Sequence, residues 1–219
     1  MIEESAEVEY GTRWGRAALP FFAALLLVFG LGISMAKGAL GASYIATSGA
    51  GQFTTDGVRA GPLGLVVKPV PVKDFNGQVS DKWVLGFSIG HAFANGICVS
   101  EKATLLGQTV TLLIQGGDDD PSTYEIEVNG ISANALEAHT FLQTQGDAYV
   151  NKNPADIYPA GSPYPLGGTP FEFGLEAQGA ELKGVSGYLQ DAQLSYVPGL
   201  TALNAKMVMG DAECPEPSG

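Results

Sequence analysis

Lys82–Gly90 (KWVLGFSIG), Gln108–Gln115 (QTVTLLIQ) and Tyr124–Val128 (YEIEV) decide the fold of this chain. Each alternates at period two, the repeat of a strand whose successive side chains point to opposite faces. In YEIEV, Tyr124, Ile126 and Val128 turn inward if Glu125 and Glu127 meet water. The same rule sends Trp83, Leu85, Phe87 and Ile89 inward and Ser88 outward. In QTVTLLIQ it sets Val110, Leu112 and Ile114 against Thr109, Thr111 and Leu113.

Outward from these strands, turn signals punctuate the chain at Asn76-Gly77, Asn95-Gly96, Gly116-Gly117-Asp118, Asn129-Gly130 and Gly167-Gly168. Asn129-Gly130, following YEIEV, has the form of a tight hairpin with positive φ at both central residues. Lys68–Val72 carries two prolines and reads as an edge strand or extended arm. Asn151–Pro170 holds five prolines and reads as a long surface loop. Beyond it, Phe171–Leu175, Gly184–Tyr196 and Leu200–Met209 are strand-like. Ser132–Phe141 reads as a short helix or a strand. The rest of the chain beyond Ala42 shows no clean 3.6 period, so the fold class is all-β, a mostly antiparallel sandwich or open β-roll.

Ahead of this part, residues 17–36 run AALPFFAALLLVFGLGISMA without an ionisable side chain. As a helix this run spans roughly 30 Å, the thickness of a bilayer's hydrocarbon core. Arg13 and Arg16 precede it and only Lys37 follows, which places the N-terminus inside. The chain then divides into a cytoplasmic tail (1–16), a transmembrane helix (17–36), a small-residue tether (37–61), an extracytoplasmic β domain (62–214) and a C-terminal tail (215–219). A cleaved signal peptide is the alternative, with a small-residue site near Gly41, and gives a secreted product. Both readings export the β domain.

Composition narrows the function classes. With 11 basic and 23 acidic residues the formal charge is −12, and the electrostatic footprint of a nucleic-acid binder is missing. Hydrophobic residues at 45% exclude a disordered chain. The 30 glycines and 13 prolines follow no collagen period and imply many turns. Cys98 and Cys214, an even count in an exported domain, read as one disulfide closing a loop of about 116 residues.

Three constellations carry possible chemistry. Gly86-Phe-Ser-Ile-Gly90 matches G-x-S-x-G, and Ser88 with His139 and Asp147, Asp156 or Asp191 spells a serine-esterase triad. The motif needs a helix after the serine, however, and Asn95-Gly96 follows within a few residues. Asp118, Asp119 and Asp120 form a carboxylate cluster for a cation, without the glycine and terminal glutamate of an EF-hand loop. Tyr158, Tyr164, Leu166 and Phe171 can rim an apolar pocket or a partner site. No cofactor motif is present in the sequence.

Thr12-Arg-Trp-Gly-Arg16, the block Met35–Ser43 (MAKGALGAS), Ile97-Cys-Val-Ser100 and the final Cys214 resemble an actinobacterial family of small envelope proteins carrying domain of unknown function 6230. The resemblance covers about residues 11–214. It implies a membrane-anchored protein of no established activity, often encoded beside a small multi-spanning membrane protein. Some members bear a cholesterol-esterase label that the residues above do not support. The resulting expectation is a non-enzymatic, single-pass envelope protein whose β domain binds a partner protein or an apolar or lipid ligand. The alternatives are an esterase acting on lipid esters through Ser88 and a structural envelope spacer.

Overall fold

A computed structural model describes residues 42–46, 50–73, 78–118, 120, 122–170, 172–199 and 202–217. The expected transmembrane segment, 17–36, lies outside them. Among the described residues no helix is long and apolar enough to cross a membrane. The described residues hold nine strands: β1 (Ala42–Ile45), β2 (Gly51–Ala60), β3 (Leu63–Lys73), β4 (Val79–Asn95), β5 (Ile97–Leu105), β6 (Gln108–Gly116), β7 (Ile126–Val150), β8 (Gly174–Gly199) and β9 (Asn204–Met209). All their pairings are antiparallel. The domain is all-β, and Ser132–Phe141 belongs to a strand.

The strands form one sheet, and it closes on itself. One edge of β8 follows β7 for nearly its whole length. The other edge takes β3, β2 and β1 in succession. β3 pairs with β4, and β4 with β7, which completes a circuit back to β8. A sandwich or open roll is thus replaced by a barrel, from which β5, β6 and β9 project beyond β2 as a three-stranded wing.

Closure depends on bent strands, and glycines supply the bends. Ile89 pairs with Ile131 and His91 with Asn129, so Gly90 and Gly130 face each other across the ladder. The buried parity changes at this point in both strands, from Ile89 to Ala92 and Ala94, and from Ile126 and Val128 to Ala133 and Ala135. Glycine on a strand marks such a corner because no side chain crowds the inside of the bend. Asn129-Gly130 is therefore a crease within β7 rather than a hairpin, with Gly130 at φ 62°. Asn95-Gly96 does not reverse the chain either, since β4 and β5 run on along β2 in one register (Gly57 with Asn95, Thr54 with Cys98). The tight turn instead lies at Leu106-Gly107, both at positive φ, between the paired Leu105 and Gln108.

The tether placed at 37–61 is corrected as well, because its described part holds β1 and β2. β2 is flanked on both edges, and Thr54, Thr55 and Ala60 are buried in it. Small residues suit a position where β8 and β4 both approach closely. Lys68–Val72 behaves as the prolines predict: beyond Val66, β3 pairs only with β4.

Inside the barrel lie Leu63, Ile89, Ala92 and Ala180, with Phe87, Ile131, Leu142 and Leu182 packed against them. Ala94, Ile126 and Val128 continue this core past the crease. The alternation of YEIEV is borne out at Ile126 and Val128. That of KWVLGFSIG fails at Trp83, which is 60% exposed. Pairing between β4 and β7 ends at Leu85 with Ala135, so among the described residues no strand pairs with β4 on that side beside Trp83.

Candidate binding surface

The proline-rich loop is a strap on the outside of the barrel. Its Ile157 and Leu166 form a buried cluster with Val66 of β3. The floor is cut from residues without bulk: a Cβ on Gly64 would strike Ile157, Leu166 and Pro159, and one on Gly90 would overlap the Ala160 carbonyl. Ser88, between Gly86 and Gly90, is fully buried beneath the strap, and its Oγ lies 2.5 Å from Ser162 Oγ. Lys68 Nζ donates to the Leu166 carbonyl at 2.5 Å, and Lys152 pairs with Glu176 at the strap's start. Burial holds the Lys68 ammonium below its ordinary pKa, partly offset by the Asp191 carboxylate.

This arrangement places the sequence-derived candidates. Ser88 points out of the barrel, as its parity requires, but is covered rather than solvated, and it sits mid-strand rather than on an elbow. In the ladders it stands opposite Ser132 and Gly64, whereas His139 stands opposite Ser186 and bonds Glu137 at 2.7 Å. The two are not brought together. Leu166 is core, Tyr158 is exposed and Tyr164 half-buried, so these three line the strap and not the mouth of a cavity. Phe171 lies outside the described residues.

Asp119 also lies outside them, and its neighbours are engaged in the turn. Asp118 Oδ1 accepts from Asp120 N and Thr123 Oγ1, while Asp120 Oδ1 accepts from Ser122 N and Oγ. The Ser122 bonds hold the Asp120 carboxyl below its ordinary pKa. Among the described residues no three His, Cys, Asp or Glu side chains gather as a metal site.

The wing offers the surface that the sequence reading missed. On one face Cys98 is bonded to Cys214, and the last segment lies across β5 and β6. Thr111 Oγ1 donates to the Gly210 carbonyl (2.8 Å) and accepts from Ala212 N (3.2 Å), and Cys214 N donates to Gln52 Oε1 (2.9 Å). Lys102 reaches Asp211 and Glu213 at 2.6 and 3.1 Å. Shallow clefts of about 300 and 410 Å³ flank this tail, one by Thr54 and Gln115, the other by Ser100 and Tyr188. Both are lined by polar and apolar groups in similar measure.

The opposite face of the wing carries the rows Val99–Ile114–Ala205, Glu101–Leu112–Met207 and Ala103–Val110–Met209. Leu112, Met207 and Met209 are 41%, 68% and 68% exposed. Eight of the nine positions are apolar. The signal was present in the alternation of Ala205, Met207 and Met209 and in the adjacent Leu112 and Leu113, which place apolar groups on both faces of β6. Comparison with family models, with curated proteins and with solved structures finds no match to this chain.

Proposed function

We propose that this chain is a non-enzymatic, single-pass envelope protein whose barrel holds out the wing as a docking face for a partner protein. The observation carrying this reading is the row pattern of the wing. In these cross-strand rows Leu112, Met207 and Met209 stand in water on one face around a buried Val110, while a disulfide and a hydrogen-bonded tail cover the other face. A contiguous apolar sheet face is costly to leave solvated and marks an interaction site. Unbranched methionine side chains adapt their shape to a partner. The flanking clefts are open and mixed in polarity, whereas a buried lipid chain favours an enclosed apolar chamber.

The 20-residue apolar run at 17–36 supports the anchor, and the family resemblance makes a small multi-spanning membrane protein the first partner to test. The experiment is affinity capture from membranes with the wild type and with Leu112→Asp/Met207→Asp. A specific partner captured by the wild type and lost by the folded variant supports the reading. Equal capture by both removes the wing from it. A lipid that copurifies in stoichiometric amount favours the apolar-ligand version instead.

A further inference from the structure

The way the chain enters the barrel constrains what lies beneath it. β1 is antiparallel to β8, with Ala42 opposite Leu194 and Ile45 opposite Asp191. At Ala42 the strand therefore comes from the side of β8 on which Ser195 and Tyr196 follow. In the sequence only Lys37–Gly41 separate the apolar run, ending at Ala36, from Ala42. Fully extended, that link reaches about 20 Å, at roughly 3.3–3.6 Å per residue. Headgroups occupy about 5–8 Å of this distance on each side of a bilayer. The Tyr196 end of the barrel is thus held close to any membrane that contains residues 17–36.

The chemistry at that end suits an interface. Tyr196 pairs in register with Asn129, and Asn129 with His91. Ala92, Ala94, Ile126 and Val128 fill the inside, so His91, Phe93, Glu127 and Asn129 face out. Phe93 and Tyr196 are 37% and 42% exposed. The His91 ring meets Phe93 edge-on with centroids 4.7 Å apart. Beside Phe93 in the ladder, Arg59 holds its guanidinium 4.0 Å from the Tyr124 ring centroid. Aromatic rings with polar tips, together with arginine, match the headgroup layer, which is apolar on one side and wet on the other. The nearby carboxylates have partners: Glu127 bonds His91 at 3.1 Å, and Glu181 accepts from the Tyr124 hydroxyl at 3.4 Å.

We propose that this end of the barrel, with Phe93 and Tyr196 as its apolar contacts, rests on the headgroup layer of the bilayer that holds the N-terminal run. The proposal rests on reading residues 17–36 as a membrane span, and its test separates the two. Full-length protein is placed in vesicles of phosphatidylethanolamine and phosphatidylglycerol doped with a lipid carrying a headgroup diazirine. The vesicles are washed with alkaline carbonate, irradiated, and the crosslinked peptides mapped by mass spectrometry. The expected result is protein retained through the wash, with crosslinks at 90–95 and 194–199 several-fold above those at 203–209. Phe93→Asp/Tyr196→Asp should stay in the vesicles and lose these crosslinks. Retained wild-type protein crosslinked only in the N-terminal run, or chiefly on the wing, overturns the surface and leaves the anchor standing. Protein removed by the wash overturns both.

Discussion

At Gly90 a missing side chain lets one part of the molecule lie on another. The Ala160 carbonyl occupies the space that a Cβ would need, and backbone cannot swing aside as a long side chain can. Gly90→Ala should cost about 2–3 kcal/mol, the upper part of the range for overpacking. Denaturant unfolding with an unchanged slope would verify this; a loss below a few tenths would mean the strap yields freely. The G-x-S-x-G spelling thus has a packing explanation, with two narrow positions around a serine bonded to Ser162. Lys68 supplies a pH test. Its folded-state pKa is lowered by burial, so between that value and the ordinary 10.5 the unfolded chain binds more protons. Its contribution to stability therefore rises with pH across that window. Comparing the wild type with Lys68→Met from neutral pH to about 10.5 cancels the other lysines, and the wild type should gain relative to the variant. Equal slopes would refute the burial of a charged Lys68.

At the scale of elements, the disulfide decides what the last strand and tail can do. Cys98 and Cys214 close a loop of 116 residues, for which chain-entropy arithmetic gives at most about 4–5 kcal/mol. Cys98→Ala/Cys214→Ala should lose most of that amount in equilibrium unfolding. Its tail from Gly210 onward should also become the first site of limited proteolysis. If the tail stays protected, the bonds from Thr111, Gln52 and Lys102 hold it without the crosslink. Elements also set the limit of pattern reading. An Asn-Gly pair gives the positive φ of a hairpin and equally that of a crease, so Asn129-Gly130 was ambiguous by its chemistry. Leu106-Gly107 escaped notice because leucine rarely takes positive φ, and only the pairing of Leu105 with Gln108 reveals the turn.

At the scale of the whole molecule, a closed barrel fixes a wing whose two faces have opposite fates. Leu112→Asp/Met207→Asp should cost no more than about 2 kcal/mol, since Met207 is largely and Leu112 partly in water. The same variant should abolish partner capture, and unfolding by several kcal/mol would place the two residues in the core instead. By itself the sequence determined the strand class, the inward set Ile126 and Val128, the edge character of Lys68–Val72 and the pairing of the two cysteines. Each follows from local periodicity, from proline's missing donor or from a count of two. Only the tertiary structure decided that the sheet closes, that small-residue β2 runs through its centre, that the strap covers Ser88, and which wing face the tail takes. Those outcomes depend on which strand edges meet across about a hundred residues, such as Gly64 against Glu176 or Thr111 beside Gly210. Local alternation contains no record of that choice, because a strand reads the same whichever neighbour fills its edge.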